Sequence, residues 1–125
     1  MNALQQARAH LTKAREFLEA AELARELDLC NAAASAAVTS GINSKDAICL
    51  ALTGRTGKTE NHHDARAELR AAGPAGRSLE TTFSRLLRLK QKSQYQAASV
   101  SAPEAIKSVE WADRMLTSAT EVVRG

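Results

Sequence analysis

Apolar side chains recur along this chain at alternating spacings of three and four, the signature of helices with one buried face. Leu4, Ala7, Leu11, Ala14, Leu18 and Ala21 form the first stripe, widened by Phe17, Ala24 and Leu27. Lys13, Arg15, Glu16, Glu19, Glu22, Arg25 and Glu26 take the opposite side, so the pattern predicts an amphipathic helix over residues 3–27. Asp28 follows as a cap for a short break or for the start of the next helix.

A second helix is predicted over 29–52. Val38, Ile42, Cys49 and Leu52 give it bulk, and a stripe of small residues runs beside them: Ala33, Ala37, Gly41, Ser44 and Ala51, with Ala34 and Ser40 alongside. Small side chains at helical spacing let a neighbouring backbone approach closely. Gly41-Ile42-Asn43-Ser44 are poor helix formers in mid-helix, so the helix either kinks there or needs Gly41 for close packing. The apolar phase carries on across the stretch, which favours an unbroken helix.

Beyond it, Gly54-Arg55-Thr56-Gly57-Lys58-Thr59 resembles a phosphate-binding loop at a glance. The full motif needs four residues between its first glycine and its Gly-Lys-Thr; this one has two and follows a helix instead of a strand. A mobile helix–helix connection is the better reading. A short third helix is predicted over 62–72, with Asn61 as N-cap, Ala65 and Leu69 inward, and Gly73-Pro74 as its stop. A fourth runs from about residue 76 to 89, or a turn further, on Leu79, Phe83, Leu86 and Leu87, and 94–100 reads as irregular. Ser101-Ala-Pro-Glu104 is a capping box with proline in the first turn. It opens a last helix with Ala105, Val109, Ala112, Leu116, Ala119 and Val123 inward. Trp111 and Met115 lie beside that stripe, placed to widen the core or to face a second subunit.

Composition agrees. Aromatics are 3% of 125 residues, and the two prolines fall only where helices would stop or start. The expected fold is all-α: one domain over 1–125, an antiparallel bundle of four to five helices. No charged-then-apolar leader opens the chain and no apolar run approaches membrane-spanning length, so a soluble, cytoplasmic protein is expected. Cys30 and Cys49 lie in one predicted helix, roughly 28 Å apart at the α-helical rise, too far to bond to each other. They read as buried apolar residues of a reducing compartment.

Charge changes the picture only once it is located. The formal net charge is +3, and residues 66–95 carry seven basic side chains against two acidic. Within them, Leu86 to Val100 (LLRLKQKSQYQAASV) holds Arg88, Lys90 and Lys92, the only tyrosine, Tyr95, and no acidic residue. Cations beside a hydrogen-bonding ring suit phosphate, and Arg85, Arg88, Lys90, Lys92 and Tyr95 are the candidate phosphate or nucleic-acid contacts. The bland alternative is a solvated helical face. His62 and His63 point about 100° apart on a helix, a poor geometry for one metal. With no His-x-x-x-His or Cys-x-x-Cys pair, neither a zinc site nor any other cofactor is expected.

Two long helices, a Gly-rich loop, a histidine-started helix and a leucine helix leading into a basic-to-tyrosine segment together resemble the HEPN superfamily of small helical bundles. The resemblance spans about residues 3–122. It is carried by SAAVTSGINSKDAICLALTG, ENHHDA, and LLRLKQKSQY followed by a capped last helix. Active members of that family pair an arginine with a histidine four to six residues on and cleave RNA without metal; some relatives carry tyrosine in place of the histidine. Here Lys90-Gln-Lys-Ser-Gln-Tyr95 aligns with that motif, or Arg88 to Tyr95 in a second register. A phenol is a weak general base at neutral pH, and an ammonium lacks the bidentate fork of a guanidinium.

The resemblance therefore implies a non-catalytic binding or accessory module of an RNA-directed or toxin–antitoxin type system in a prokaryote, with RNA or a nucleotide, or a cognate protein, as partner. A homodimer is also expected, from the family and from the small-residue stripe. One alternative is a metal-independent endoribonuclease using Lys90 and Tyr95 with His63 brought in from the third helix or a second subunit. The other is a purely structural helical adaptor.

Overall fold

The computed structural model describes residues 1–57 and 61–125. It contains α1 (Ala3–Glu26), α2 (Cys30–Thr53), α3 (His62–Ala71), α4 (Pro74–Arg77), α5 (Glu80–Gln94) and α6 (Ala102–Arg124), with no strand among the described residues. Four long helices make the bundle, and α3 and α4 are short insertions between α2 and α5. The Ser40 hydroxyl donates to the Ala14 carbonyl at 2.7 Å and His10 meets Asn43, so α1 and α2 run antiparallel. Gln94 reaches Ser35 at the C-terminal end of α5, and Leu86, midway along the helix, lies against Gly41, so α5 is also antiparallel to α2. The Val100 amide donates to the Asn31 side chain and Gly41 faces Met115, so α6 runs parallel to α2.

Helix α2 is the element the others pack around, and its small residues explain why that is possible. Ala33, Ala34, Ala37, Ser40, Gly41 and Ser44 are all buried inside the bundle. A Cβ on Gly41 would sit 2.6 Å from Leu86 Cδ1, so close packing of α5, and no kink, requires the glycine. The stripe expected to invite a second subunit is thus consumed within the chain, and the homodimer loses that support. Phe83, Ile48, Leu69, Leu79, Leu86 and Met115 supply the bulk of the core.

Several expectations are corrected at their edges. Leu4, Phe17, Leu27 and Leu52 lie on the surface, outside the parts of α1 and α2 that their neighbours cover. Cys49 is buried as expected, while Cys30 is only half-buried. Asp28 caps no helix with its side chain; it turns the chain between α1 and α2 at φ +58°, a left-handed conformation that aspartate tolerates better than most residues. The fourth predicted helix is two elements, the turn α4 and then α5, which continues to Gln94. Gly76, within α4, lets that turn pack closely on α3: a Cβ there would collide with the Leu69 backbone carbonyl. Met115 belongs to the core and Trp111 is half-buried against it.

Candidate functional site

The extension of α5 to Gln94 places the basic residues on a regular helix, and a regular helix cannot present all of them on one side. Arg85, Arg88 and Lys92 share a face by their spacing of three and four, whereas Lys90 projects well round the axis from them. Two members of the shared face are engaged by α6. The Arg85 guanidinium lies over the Trp111 ring, 6.0 Å from its centroid. Lys92 Nζ donates to Glu104 Oε1 at 2.8 Å, and that carboxylate also accepts the Ser101 amide in the capping box of α6. The Lys92 hydrogen bond and the Ser101 amide hold the Glu104 carboxyl well below the usual range, down to about 2. Lys92 and Arg85 therefore fasten α5 to α6. Arg88 is exposed, and no carboxylate pairs with it or with Lys90 among the described residues.

Lys90 opens toward α3. With Gln91 and Tyr95 of the α5 end it lines a concavity of about 480 Å³, and His62 forms the opposite wall. Tyr95 caps α5 through its amide to the Gln91 carbonyl and leaves its ring 69% exposed, which keeps the aromatic face available. The Asn61 side chain accepts the amides of His63 and Asp64 and so fixes the start of α3. That cap turns His62, half-buried, toward Lys90 and leaves His63 exposed. His63, expected beside the site, is replaced there by its neighbour. Burial first, and then the Lys90 charge, pushes the His62 imidazole below its ordinary value, so it is neutral at physiological pH.

A second polar cluster is centred on a buried lysine where α2 meets α3 and residues 55–57. Lys45 is 2% exposed, and its ammonium uses each of its donors: Asp46 Oδ1 at 3.2 Å, Thr56 Oγ1 at 3.0 Å and Glu68 Oε2 at 3.0 Å. Thr56 donates to Asp46 at 2.6 Å, and the Gly57 amide donates to Glu68 Oε2 at 2.6 Å. Asn43 donates its amide to the Thr39 carbonyl, which turns its oxygen to His10 Nδ1 at 2.8 Å. Burial works against the Lys45 charge, but Asp46 and the hydrogen bond that Lys45 donates to Glu68 outweigh it and the pKa is raised. Burial likewise opposes the Glu68 charge, but the Gly57 amide and Lys45 hold its carboxyl below the usual range.

This cluster was not among the sequence-derived candidates, yet a signal was present. Lys45 falls in phase with Val38, Gly41 and Ile48, where the core stripe called for an apolar residue. Its consequence for the loop is direct: residues 55–57, expected to be mobile, are tied by Thr56 and Gly57 to α2 and α3. Lys58 and Thr59 of the phosphate-loop look-alike lie outside the described residues.

The other chemistry is limited. Cys49 is buried beside this cluster, and burial pushes its thiol up to about 11, which makes it a poor nucleophile at neutral pH. Among the described residues no group of His, Cys, Asp and Glu is arranged to hold a metal, and no helix is long and apolar enough to cross a membrane. No protein-family model matches the chain, and no curated protein matches it in sequence.

Proposed function

We propose that the chain is a helical binding module that takes RNA through its phosphates at the α3–α5 end, in keeping with its resemblance to inactive HEPN-type accessory proteins of RNA-directed or toxin–antitoxin systems. One observation carries the reading. Lys90 is held at the edge of an open concavity with Tyr95 and His62 around it, and no carboxylate neutralises it among the described residues. Lys90 and the nearby exposed Arg88 contact phosphates, the Tyr95 ring stacks on an unpaired base, and Gln91 offers a donor and an acceptor to its edge. Arg85 and Lys92 contribute to the positive field while serving as fasteners to α6.

The neutral His62 beside Lys90 favours a second reading, a metal-independent endoribonuclease. A neutral imidazole can accept the ribose 2′-hydroxyl proton while the ammonium stabilises charge on phosphorus. Binding is preferred because lysine and tyrosine, Lys90 and Tyr95, stand where active members of the family it resembles carry arginine and histidine.

Fluorescence anisotropy of a labelled single-stranded RNA at two salt concentrations tests both readings, with the same sample run on a gel with and without chelator. Salt-sensitive binding of intact RNA is the expected result. Cleavage that survives chelator and is lost in His62→Ala would replace it with the nuclease, and no affinity at either salt would leave a structural adaptor.

A further inference from the structure

Helix α3 reaches the core through one large apolar side chain, Leu69, with Ala65 beside it. Of its ten residues only Ala65 and Leu69 are buried. Its remaining ties are polar. The half-buried Arg66 and the exposed Arg70 reach Glu80 of α5 at 3.2 and 3.8 Å, and partly solvated pairs of this kind contribute modestly. Glu68 is different, because its partner is the almost fully buried Lys45 of α2.

A buried ammonium cannot be left short of acceptors without a large penalty, so the Lys45–Glu68 contact tolerates little sliding or rotation of the helix that carries Glu68. The same carboxylate oxygen accepts the Gly57 amide, and Cys49 Sγ lies 3.8 Å from the Glu68 carbonyl, so both the side chain and the backbone of this residue are held. Glu68 lies six positions after His62, which places them roughly 240° apart around α3 and ~9 Å apart along it. With Glu68 seated on α2, that rotation and rise direct His62 at α5.

We propose that Lys45 and Glu68 are positioning residues for the α3–α5 site: their contact sets the register and azimuth of α3 and thereby holds His62 against Lys90 and Tyr95. The proposal rests on reading that concavity as the phosphate site, but its geometric content stands apart from any ligand. His10 and Asp46 complete the cluster from α1 and α2 and touch neither His62 nor Lys90. Without the tether, α3 keeps its two apolar contacts and its ion pairs to Glu80, and the wall of the concavity opposite Lys90 becomes loose.

The test is an NMR titration of the His62 ring in the full chain, in wild type, Glu68→Gln and the charge-free pair Lys45→Met/Glu68→Gln, with Lys90→Met as the reference for an imidazole that has lost its cation. Both tether variants are expected to raise the His62 pKa toward the ordinary histidine range and to speed amide exchange across α3, while the NMR dispersion of α1, α2 and α6 is kept. The RNA affinity of the double variant is expected to fall about tenfold. A His62 titration unchanged in a folded tether variant would overturn the proposal and leave the cluster a local core feature. If neither variant folds, Glu68→Asp, which keeps the charge but draws it back by one methylene, gives the same readout. Wild type that binds no RNA but shows the His62 shift in the variants would sink the phosphate-site reading and keep the positioning role.

Discussion

Lys45 and Lys90 are the same side chain on two helices of one bundle, and their surroundings give them opposite roles. Lys45 lies in the core phase of α2 with three oxygens at 3.0–3.2 Å, two of them on carboxylates. Nothing remains for a ligand to satisfy, and the raised pKa keeps the amine protonated and non-nucleophilic. Lys90 stands beside a half-buried neutral histidine at an open concavity and pairs with no carboxylate among the described residues. A saturated charge specifies structure; an unsatisfied one at the surface is available for recognition. Lys92, two residues further along α5, falls on the structural side of that line because Glu104 takes it.

Removing each lysine separates the two roles. Lys45→Ala strands Asp46 and Glu68 in partly buried positions and is expected to destabilise the fold by about 3–5 kcal/mol in chemical denaturation. Lys45→Met/Glu68→Gln is expected to recover a large part of that loss; a double variant as unstable as Lys45→Ala would show that packing, not charge, is at stake. Gly41→Ala comes next. Its Cβ would press on Leu86 Cδ1, and a loss of about 1–3 kcal/mol is expected, reduced when Leu86 is cut back to Val.

Lys90→Ala is expected to leave the unfolding midpoint nearly unchanged, to weaken RNA binding about tenfold and to lower the salt slope by about one. Lys92→Ala should show the converse pattern, a stability loss with a smaller effect on binding. Equal effects of the two lysines on anisotropy would mean that α5 acts as an undivided basic rod.

The smallest effect is expected from pH. The folded-state pKa of Glu104 lies below its unfolded value, so its contribution is complete above pH 4.5 and fades as pH falls toward about 2. Amide exchange in the first turn of α6 should accelerate over that window, and Glu104→Gln should remove the dependence.

Much of the scaffold was legible because helices are local. The three-four spacing gave the stripe Ala7, Leu11, Ala14, Leu18 and Ala21, and each of these is buried. Asn61 and the Ser101–Glu104 box mark helix starts by hydrogen bonds that span three residues at most, and both caps form. Leu4, Phe17 and Leu52 were misplaced because periodicity names the face of a helix but not how much of that face its neighbours cover. The site was legible in composition only. The run from Arg85 to Tyr95 reads as one patch in sequence, yet its members part between α6 and α3 once α5 continues to Gln94.

The sequence by itself determined an all-α bundle, its long helices, their caps and the concentration of positive charge late in the chain, since propensity, capping and hydrophobic phase act within a few residues. The tertiary structure decided which cations are spent and which are open. Glu104 lies 12 residues from Lys92, Trp111 lies across from Arg85, and Glu68 lies 23 residues from Lys45. Whether a lysine is a fastener or a contact depends on what the fold brings within about 3 Å of its nitrogen, and no spacing along one helix carries that information.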